Sequence, residues 1–408
     1  MDAATRESEV HWPTALQFGF SAFAWLSLWT TALSVAAYGL FELLNPNTSP
    51  SDAASQFLIA TGSFLSGLLL IPSVGYSFAR LLDREIALPA PLLRLGKLFR
   101  PTSIFVIFPF IFAAGAWVSR QDDISWFGLP PLHFLAVSLP ILWLVLVSIR
   151  KLPSGSGQRI WGVFASGLVL GPAVILVFET VIVLGFAIVF AVFLFNNPGI
   201  QRQLETLSVQ LEQGTTPDPE ILGEYITFLY GQPGFFIGLL LLLSVFVPLI
   251  EELFKPVAVW LLAGSRLTPG GGFVAGVVSG AAFALFENLG YVSEVDSWST
   301  LVLARIGTAI MHMVTAGLTG WALAKAWQDR SYLRLGFAYL AAVVIHGIWN
   351  AIAILYGIAS LPVALDIPPY LPSHLIVSGP PLFALLTASL FFLLILYNRR
   401  LQPAGAQA

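Results

Sequence analysis

The sequence predicts an all-α polytopic membrane protein with about ten transmembrane helices. Of its 408 residues, 57% are apolar and only 10% are Asp, Glu, Lys or Arg, whereas about a quarter of the residues are charged in a soluble domain. Most of the apolar residues lie in runs long enough to cross about 30 Å of hydrocarbon at 1.5 Å per residue. We therefore expect a multi-pass protein of the cell membrane, surrounded by the lipid bilayer.

The first apolar run, near residues 15–40, is longer than the core of a cleavable signal peptide, so we expect it to remain as the first span. Run lengths and polar breaks place nine further spans near residues 54–78, 103–118, 130–148, 168–195, 234–263, 271–292, 301–326, 335–358 and 381–398. The fifth run contains Gly171-Pro172, where a kink or a hairpin could lie. We count one crossing there because the charge pattern requires it.

The Lys and Arg residues outside the spans favour one orientation of the protein. With ten crossings and a cytoplasmic N-terminus, fifteen of them fall in cytoplasmic segments, and only Arg120 and Arg202 fall in outer segments. This asymmetry is what the positive-inside rule describes. The sequence therefore predicts that both termini are cytoplasmic.

The spans divide the chain into four predicted regions. Residues 1–199 form an N-terminal membrane region of about five spans, which could be accessory, and residues 200–233 form an acidic extracytoplasmic segment. Residues 234–359 form a core that holds most of the polar residues within the membrane, and residues 360–408 form the last span and a cytoplasmic tail. The absence of cysteine excludes disulfides, thiolate metal sites and a cysteine nucleophile. A net charge of −3 without a basic run gives no reason to expect nucleic acid as a partner.

Few charged residues lie inside the predicted spans. They are two of the nineteen basic residues, Lys255 and Arg305, and four of the twenty-two acidic ones, Glu179, Glu251, Glu252 and Glu287. Because a charged side chain near the bilayer centre costs about 2.5–3.5 kcal/mol on insertion scales, we expect these groups to face the protein interior and to have partners. Glu179 and Arg305 could pair across spans, or Arg305 could lie nearer the outer interface, and we assign neither a catalytic role.

Spans six to nine bring polar side chains to one layer of the membrane. Lys255 follows Glu251 by four residues and Glu252 by three, so it can neutralise one carboxylate and leave the other able to exchange a proton. On span nine, His346 and Asn350 are four residues apart and project side by side, which suits the stabilisation of an oxyanion. Span eight carries His312, followed at four-residue intervals by small residues that permit close helix packing.

Four motifs therefore stand in order on consecutive spans: Glu251-Glu252-Leu-Phe-Lys255, Phe283-Ala-Leu-Phe-Glu287-Asn288, His312 with its small residues, and His346-Gly-Ile-Trp-Asn350. This set resembles the motifs of the PrsW family of intramembrane proteases, which is similar in turn to the CAAX prenyl-endopeptidase and bacteriocin-processing group. The resemblance covers residues 234–359 and implies a protease core there. It also implies a membrane-anchored protein substrate, such as a regulator of the anti-sigma-factor type.

The resemblance implies a role for each motif residue. Glu251 would be the general base that activates water, and Glu252, held by Lys255, would be its electrostatic neighbour. Glu287 and His312 would complete the water or metal site.

The same resemblance implies that His346 and Asn350 polarise the scissile carbonyl. Asn288 belongs to its motif, but we expect it to support the site through a hydrogen bond between helices.

The need for a metal stays open at this point. Glu251, His312 and His346 could hold Zn²⁺, which in catalytic sites commonly takes three protein ligands and an open water position. However, the sequence has no His-Glu-x-x-His motif, and the proposed oxyanion pair would make a metal partly redundant. We favour glutamate-activated water without a cofactor and keep zinc as the alternative.

Other functions compete with proteolysis by glutamate. A serine protease is disfavoured because the Ser154-Gly155-Ser156-Gly157 segment lies in a predicted cytoplasmic loop, and an aspartic protease because no span contains Asp. Buried Glu and His residues also form proton relays, but the repeats typical of a proton-coupled transporter are missing. A haem carrier could use His312 and His346 as axial ligands. A catalytically inactive scaffold of the same fold is the other alternative.

Overall fold

The computed structural model describes residues 11–45, 50–84, 86, 100–197, 231–290, 298–365 and 371–403, with isolated positions between 201 and 229. In these ranges it contains no strand and ten helices that are long and apolar enough to cross a membrane. This result confirms the predicted all-α polytopic class. Most of the acidic segment 200–233 lies outside the described residues.

We number the ten helices in chain order. They are α1 (Trp12–Leu44), α2 (Pro50–Leu81), α3 (Pro101–Val118), α4 (Asp122–Ser148), α5 (Gly157–Phe195), α6 (Pro233–Trp260), α7 (Pro269–Gly290), α8 (Trp298–Asp329), α9 (Tyr332–Leu365) and α10 (His374–Leu401). Each helix contains or largely overlaps one of the predicted apolar runs. Most extend beyond their runs, because helical hydrogen bonding does not have to stop where the apolar residues end.

Helices α5 and α6 each contain a short π-helical segment. These segments, Ser166–Leu170 and Leu242–Phe246, end just before Pro172 and Pro248. Proline lacks the N–H that an α-helix needs at that position, so a local change in hydrogen bonding is expected before it. The fifth run is therefore one helix with a distortion at the predicted Gly171-Pro172 position, and the hairpin alternative is not adopted.

Helices α7 and α8 form the centre of the structure. The apolar stretch of α7 is 83% buried and that of α8 is 67% buried, whereas no other span exceeds 39%. Helix α8 packs against α4, α7, α9 and α10, and α7 also contacts α4 and the π-helical segment of α5. Helices α1 and α2 pack together on the outside, against α4 and the first part of α5.

The close contact between α7 and α8 depends on glycine. A Cβ atom at Gly272, Gly276 or Gly280 of α7 would overlap backbone atoms of α8. At Gly280 the backbone that it would meet belongs to His312. The small residues thus bring the two helices to backbone contact, as predicted, and fix the position of His312 along α7.

Candidate active site

The charged residues of α6 form a compact group inside the protein. Lys255 and Glu252 are fully buried, and the lysine Nζ lies 2.6 Å from Glu252 Oε1. The same Nζ lies 3.4 Å from Glu251 Oε2, and the side chain of Glu251 is 12% exposed. Lys255 also lies over the ring of Phe283, 4.9 Å from its centroid, which adds a cation–π contact. The carboxylate of Glu252 is therefore tightly paired with Lys255, whereas that of Glu251 is partly exposed.

His346 of α9 completes this group. Its Nδ1 lies 2.8 Å from the same oxygen of Glu252 and 3.9 Å from Glu251 Oε2. A carboxylate at one ring nitrogen fixes the orientation of the imidazole and favours the tautomer that leaves the other nitrogen unprotonated. We refer to Lys255, Glu252 and His346 as the α6/α9 triplet.

A second group that combines a basic residue, a carboxylate and a histidine lies on α7 and α8. Glu287 accepts from His312 at 2.6 Å through Oε2 and forms an ion pair with Arg305, whose Nη2 lies 2.9 Å from Glu287 Oε1. Arg305 Nε also donates to Asn288 Oδ1 at 2.7 Å, so Asn288 makes the expected kind of hydrogen bond between helices. We refer to Arg305, Glu287 and His312 as the α7/α8 triplet.

Arg305 is the site residue that the sequence reasoning missed. Its suggested partner, Glu179, makes no hydrogen bond or ion pair with any residue that the structure describes, and that pairing was wrong. The sequence did contain an indication that Arg305 belongs to the site. Arg305 precedes His312 by seven residues, so the two side chains share a face of α8. A carboxylate that reaches His312 from α7 therefore reaches Arg305 as well.

The two triplets converge on Glu251. Glu251, His312 and His346 each offer one potential ligand atom, and these three atoms lie within 4.8 Å of one another. The imidazole rings are 5.4 Å apart and nearly perpendicular. Because carboxylates bind Nε2 of His312 and Nδ1 of His346, the ring nitrogens that remain are Nδ1 and Nε2, respectively.

One atom of this group, His312 Nδ1, is buried without a hydrogen-bond partner in the described part of the chain, and Glu251 Oε2 makes ion-pair contacts but no hydrogen bond there. A buried polar atom without such a partner is costly and needs an explanation, such as a bound ion or water. Two imidazoles and a carboxylate are a ligand set found in catalytic zinc sites. The donors present therefore fit a divalent metal ion, at the three residues that the sequence suggested for it.

Asn350 has a partner that the sequence did not suggest. Its Nδ2 donates to the carbonyl of Leu243 at 2.8 Å, within the π-helical segment of α6. One turn earlier on α9, a Cβ atom at Gly347 would overlap the carbonyl oxygen of Ser244 in the same segment. Asn350 thus anchors α9 to α6, and its role at an oxyanion stays a prediction.

A cavity of about 410 Å³ adjoins the site. Three carboxylates line it, Glu179 from α5, Glu251 from α6 and Glu287 from α7, and its apolar walls include Leu176 and Phe286. Leu176 is 64% exposed and Phe286 is 48% exposed, so these walls continue to the outer surface of the helix bundle. The cavity is therefore open towards the region where lipid chains would lie.

Comparison with protein families matches residues 158–385 to the PrsW family of intramembrane metalloproteases. No curated protein and no solved structure gives a significant match. The matched range runs from α5 into α10, covers more than half of the chain and includes all the site residues described above. This chain therefore belongs to the PrsW family.

Proposed function

We propose that the protein is a metal-dependent intramembrane endopeptidase in which Glu251, His312 and His346 hold the ion. The observation that carries the proposal is the convergence of these three donors within 4.8 Å, together with a carboxylate at the other nitrogen of each histidine. Such carboxylate–histidine pairs are typical of zinc sites, where they orient the ligand. When bound, the ion would supply Lewis acidity for the attack of water on a peptide carbonyl.

The charges of the site support a divalent cation. Lys255 neutralises Glu252, and Arg305 neutralises Glu287. Beyond these two pairs, two further carboxylates line the cavity, those of Glu251 and Glu179. A divalent ion would balance two negative charges in a layer where uncompensated charge is costly.

The glutamate mechanism uses the same residues differently. In that mechanism Glu251 would take a proton from water directly, and His346 and Asn350 would donate to the oxyanion. We now favour the metal because, without one, His312 Nδ1 would stay buried with no hydrogen-bond partner among the described residues. In the metal-dependent mechanism His346 is a ligand, and only the second amide hydrogen of Asn350 remains for the oxyanion.

The residues around the donors have supporting roles in this proposal. The α6/α9 triplet holds the ring of His346, and the α7/α8 triplet holds the ring of His312. The apolar walls of the cavity exclude bulk water from the reacting groups and face lipid on their outer side. A transmembrane segment of a membrane-anchored protein fits this setting, and we propose a regulator of the anti-sigma-factor type as the substrate class.

The first test measures zinc in the purified full-length protein. We expect stoichiometric zinc in the wild type and its loss in Glu251→Gln, His312→Ala and His346→Ala. His374→Ala is the control, because His374 is an exposed histidine at the start of α10, outside the site. If the wild type cleaves its substrate without zinc and survives exhaustive chelation, the glutamate mechanism is correct.

The second test compares membrane-protein fragments in cells that carry the wild-type or the Glu251→Gln chain in place of the endogenous gene. Fragments that depend on Glu251 identify the substrate and its cleavage site. Identical fragment patterns would indicate an inactive scaffold. If the patterns are identical and wild-type vesicles also show proton flux that Glu251→Gln abolishes, the protein is a transporter.

A further inference from the structure

Of the six charged residues named above as lying inside the predicted spans, Glu179 is the one that the site described above does not use. It lies on α5 among apolar residues and lines the same cavity as Glu251 and Glu287. No described residue makes a hydrogen bond or ion pair with it. A carboxylate in a transmembrane helix without such a partner is expensive, and it is usually retained for function.

The packing of α5 turns Glu179 towards the site. Ile175, one helical turn earlier, is buried in a cluster with Ile250 of α6 and Phe283 of α7. Because residues four apart share a helix face, Glu179 lies on the face that meets α6 and α7. The next position towards the N-terminus, Phe178, stacks on Phe254 of α6 with ring centroids 4.7 Å apart. These contacts of α5 with α6 and α7 place Glu179 at the cavity.

The other carboxylates of the site already have assigned partners. Glu252 binds Lys255 and His346, and Glu287 binds Arg305 and His312. In the proposed function, which this inference requires, Glu251 is a metal ligand. Among the described residues that line the cavity, Glu179 is the carboxylate that remains able to exchange a proton with a bound substrate.

Peptide-bond hydrolysis needs such a group. The oxygen of water bonds to the carbonyl carbon, the C–N bond breaks, and the nitrogen must gain a proton to leave as an amine. We propose that Glu179 is a catalytic residue that accepts a proton from the attacking water and donates it to the leaving nitrogen. The step consumes one water molecule, regenerates the Glu179 carboxylate and needs no other reactant.

The test uses Glu179→Gln, which keeps the shape of the side chain but cannot carry the proton. We expect about a 100-fold loss in the production of the Glu251-dependent fragments, which is the lower range for removal of a general acid or base. Bound zinc should equal that of the wild type. Thr180→Val is the matched control, because Thr180 is the next residue on α5 and is exposed outside the cavity.

A pair of substrates separates proton donation from a structural role. The fragments define a cleavage sequence, from which a peptide and the matching thioester are made and added to vesicles that contain the full-length protein. A thiolate can leave without gaining a proton, so Glu179→Gln should slow thioester cleavage at least tenfold less than peptide cleavage. Glu179→Asp should restore part of the peptide activity.

Several outcomes would overturn the proposal. Normal cleavage by Glu179→Gln would show that the carboxylate is dispensable, and equal losses on the two substrates would indicate a structural role. Loss of zinc in Glu179→Gln would make Glu179 part of the metal site. Failure of the proposed function would look different, because Glu251→Gln would then leave the fragment pattern or the zinc content unchanged.

Discussion

The two triplets contain the same three kinds of group, but they lie in different surroundings. Each has a cation, a carboxylate and a histidine, but Lys255 and Glu252 are fully buried on a single helix, whereas Glu287 is 24% exposed and Arg305 is 11% exposed on two helices. The α6/α9 triplet therefore depends on complete internal pairing. The α7/α8 triplet lies at the edge of the cavity, where solvent or substrate can reach its carboxylate. The two triplets thus have similar roles at the proposed metal site but different consequences for stability.

The largest expected effect is the same for both triplets, because both histidines are proposed ligands. We expect His312→Ala and His346→Ala each to reduce peptide cleavage by about 100-fold or more, as the loss of a group that acts directly on the reaction does. The rate of substrate cleavage in vesicles measures this, with His374→Ala as the control. A loss in only one of the two variants would mean that the triplets do not share one centre.

The second prediction separates the triplets by stability. Lys255→Ala leaves a fully buried carboxylate without its cation, so we expect about 3–5 kcal/mol of destabilisation and a lower folding yield. Arg305→Ala should destabilise the protein less, because Glu287 is partly exposed. Unfolding of the two variants in detergent measures the difference, and Lys325→Ala is the control, since that lysine forms an exposed pair with Asp329. Equal destabilisation by Lys255→Ala and Arg305→Ala would show that the two triplets do not differ in their contribution to stability.

The third prediction concerns the carboxylates that hold the histidines. Glu252→Gln and Glu287→Gln keep the side-chain size but weaken the hydrogen bond to the imidazole. We expect each to lower zinc affinity by about 10- to 100-fold, which is typical for groups that orient a metal ligand. Competition with a zinc chelator measures the affinity. Unchanged affinity in both variants would argue against the two histidines as ligands.

The smallest expected effects come from the glycines that set the helix contacts of each triplet. A Cβ at Gly280 would overlap the backbone of His312, and one at Gly347 would meet the carbonyl of Ser244. We expect Gly280→Ala and Gly347→Ala to cost about 1–3 kcal/mol, as overpacking does, with the larger cost at the more crowded Gly280. Gly185→Ala is the control, because that position has open space. Thermal unfolding would detect the difference.

Much of this structure follows from spacing within single helices. The run lengths predicted the ten helices, and the i,i+3 and i,i+4 positions around Lys255 predicted the pairing on α6. Contacts between helices were harder to predict, because they depend on how each helix is rotated about its axis. For this reason the sequence did not predict the ion pair between Arg305 and Glu287 or the hydrogen bond from Asn350 to Leu243. The latter also depends on a π-helical segment, which apolar periodicity does not reveal.

The backbone contact between α7 and α8 limits how the site can open. Their glycine and carbonyl positions interlock at three heights, so neither helix can slide along the other without a steric clash. Helices α5 and α6 contain π-helical segments, Ser166–Leu170, of which Val169 lines the cavity, and Leu242–Phe246, and such segments often act as hinges. If a substrate enters from the bilayer, as the proposed function requires, we expect α5 or α6 to move and the α7–α8 pair to stay fixed.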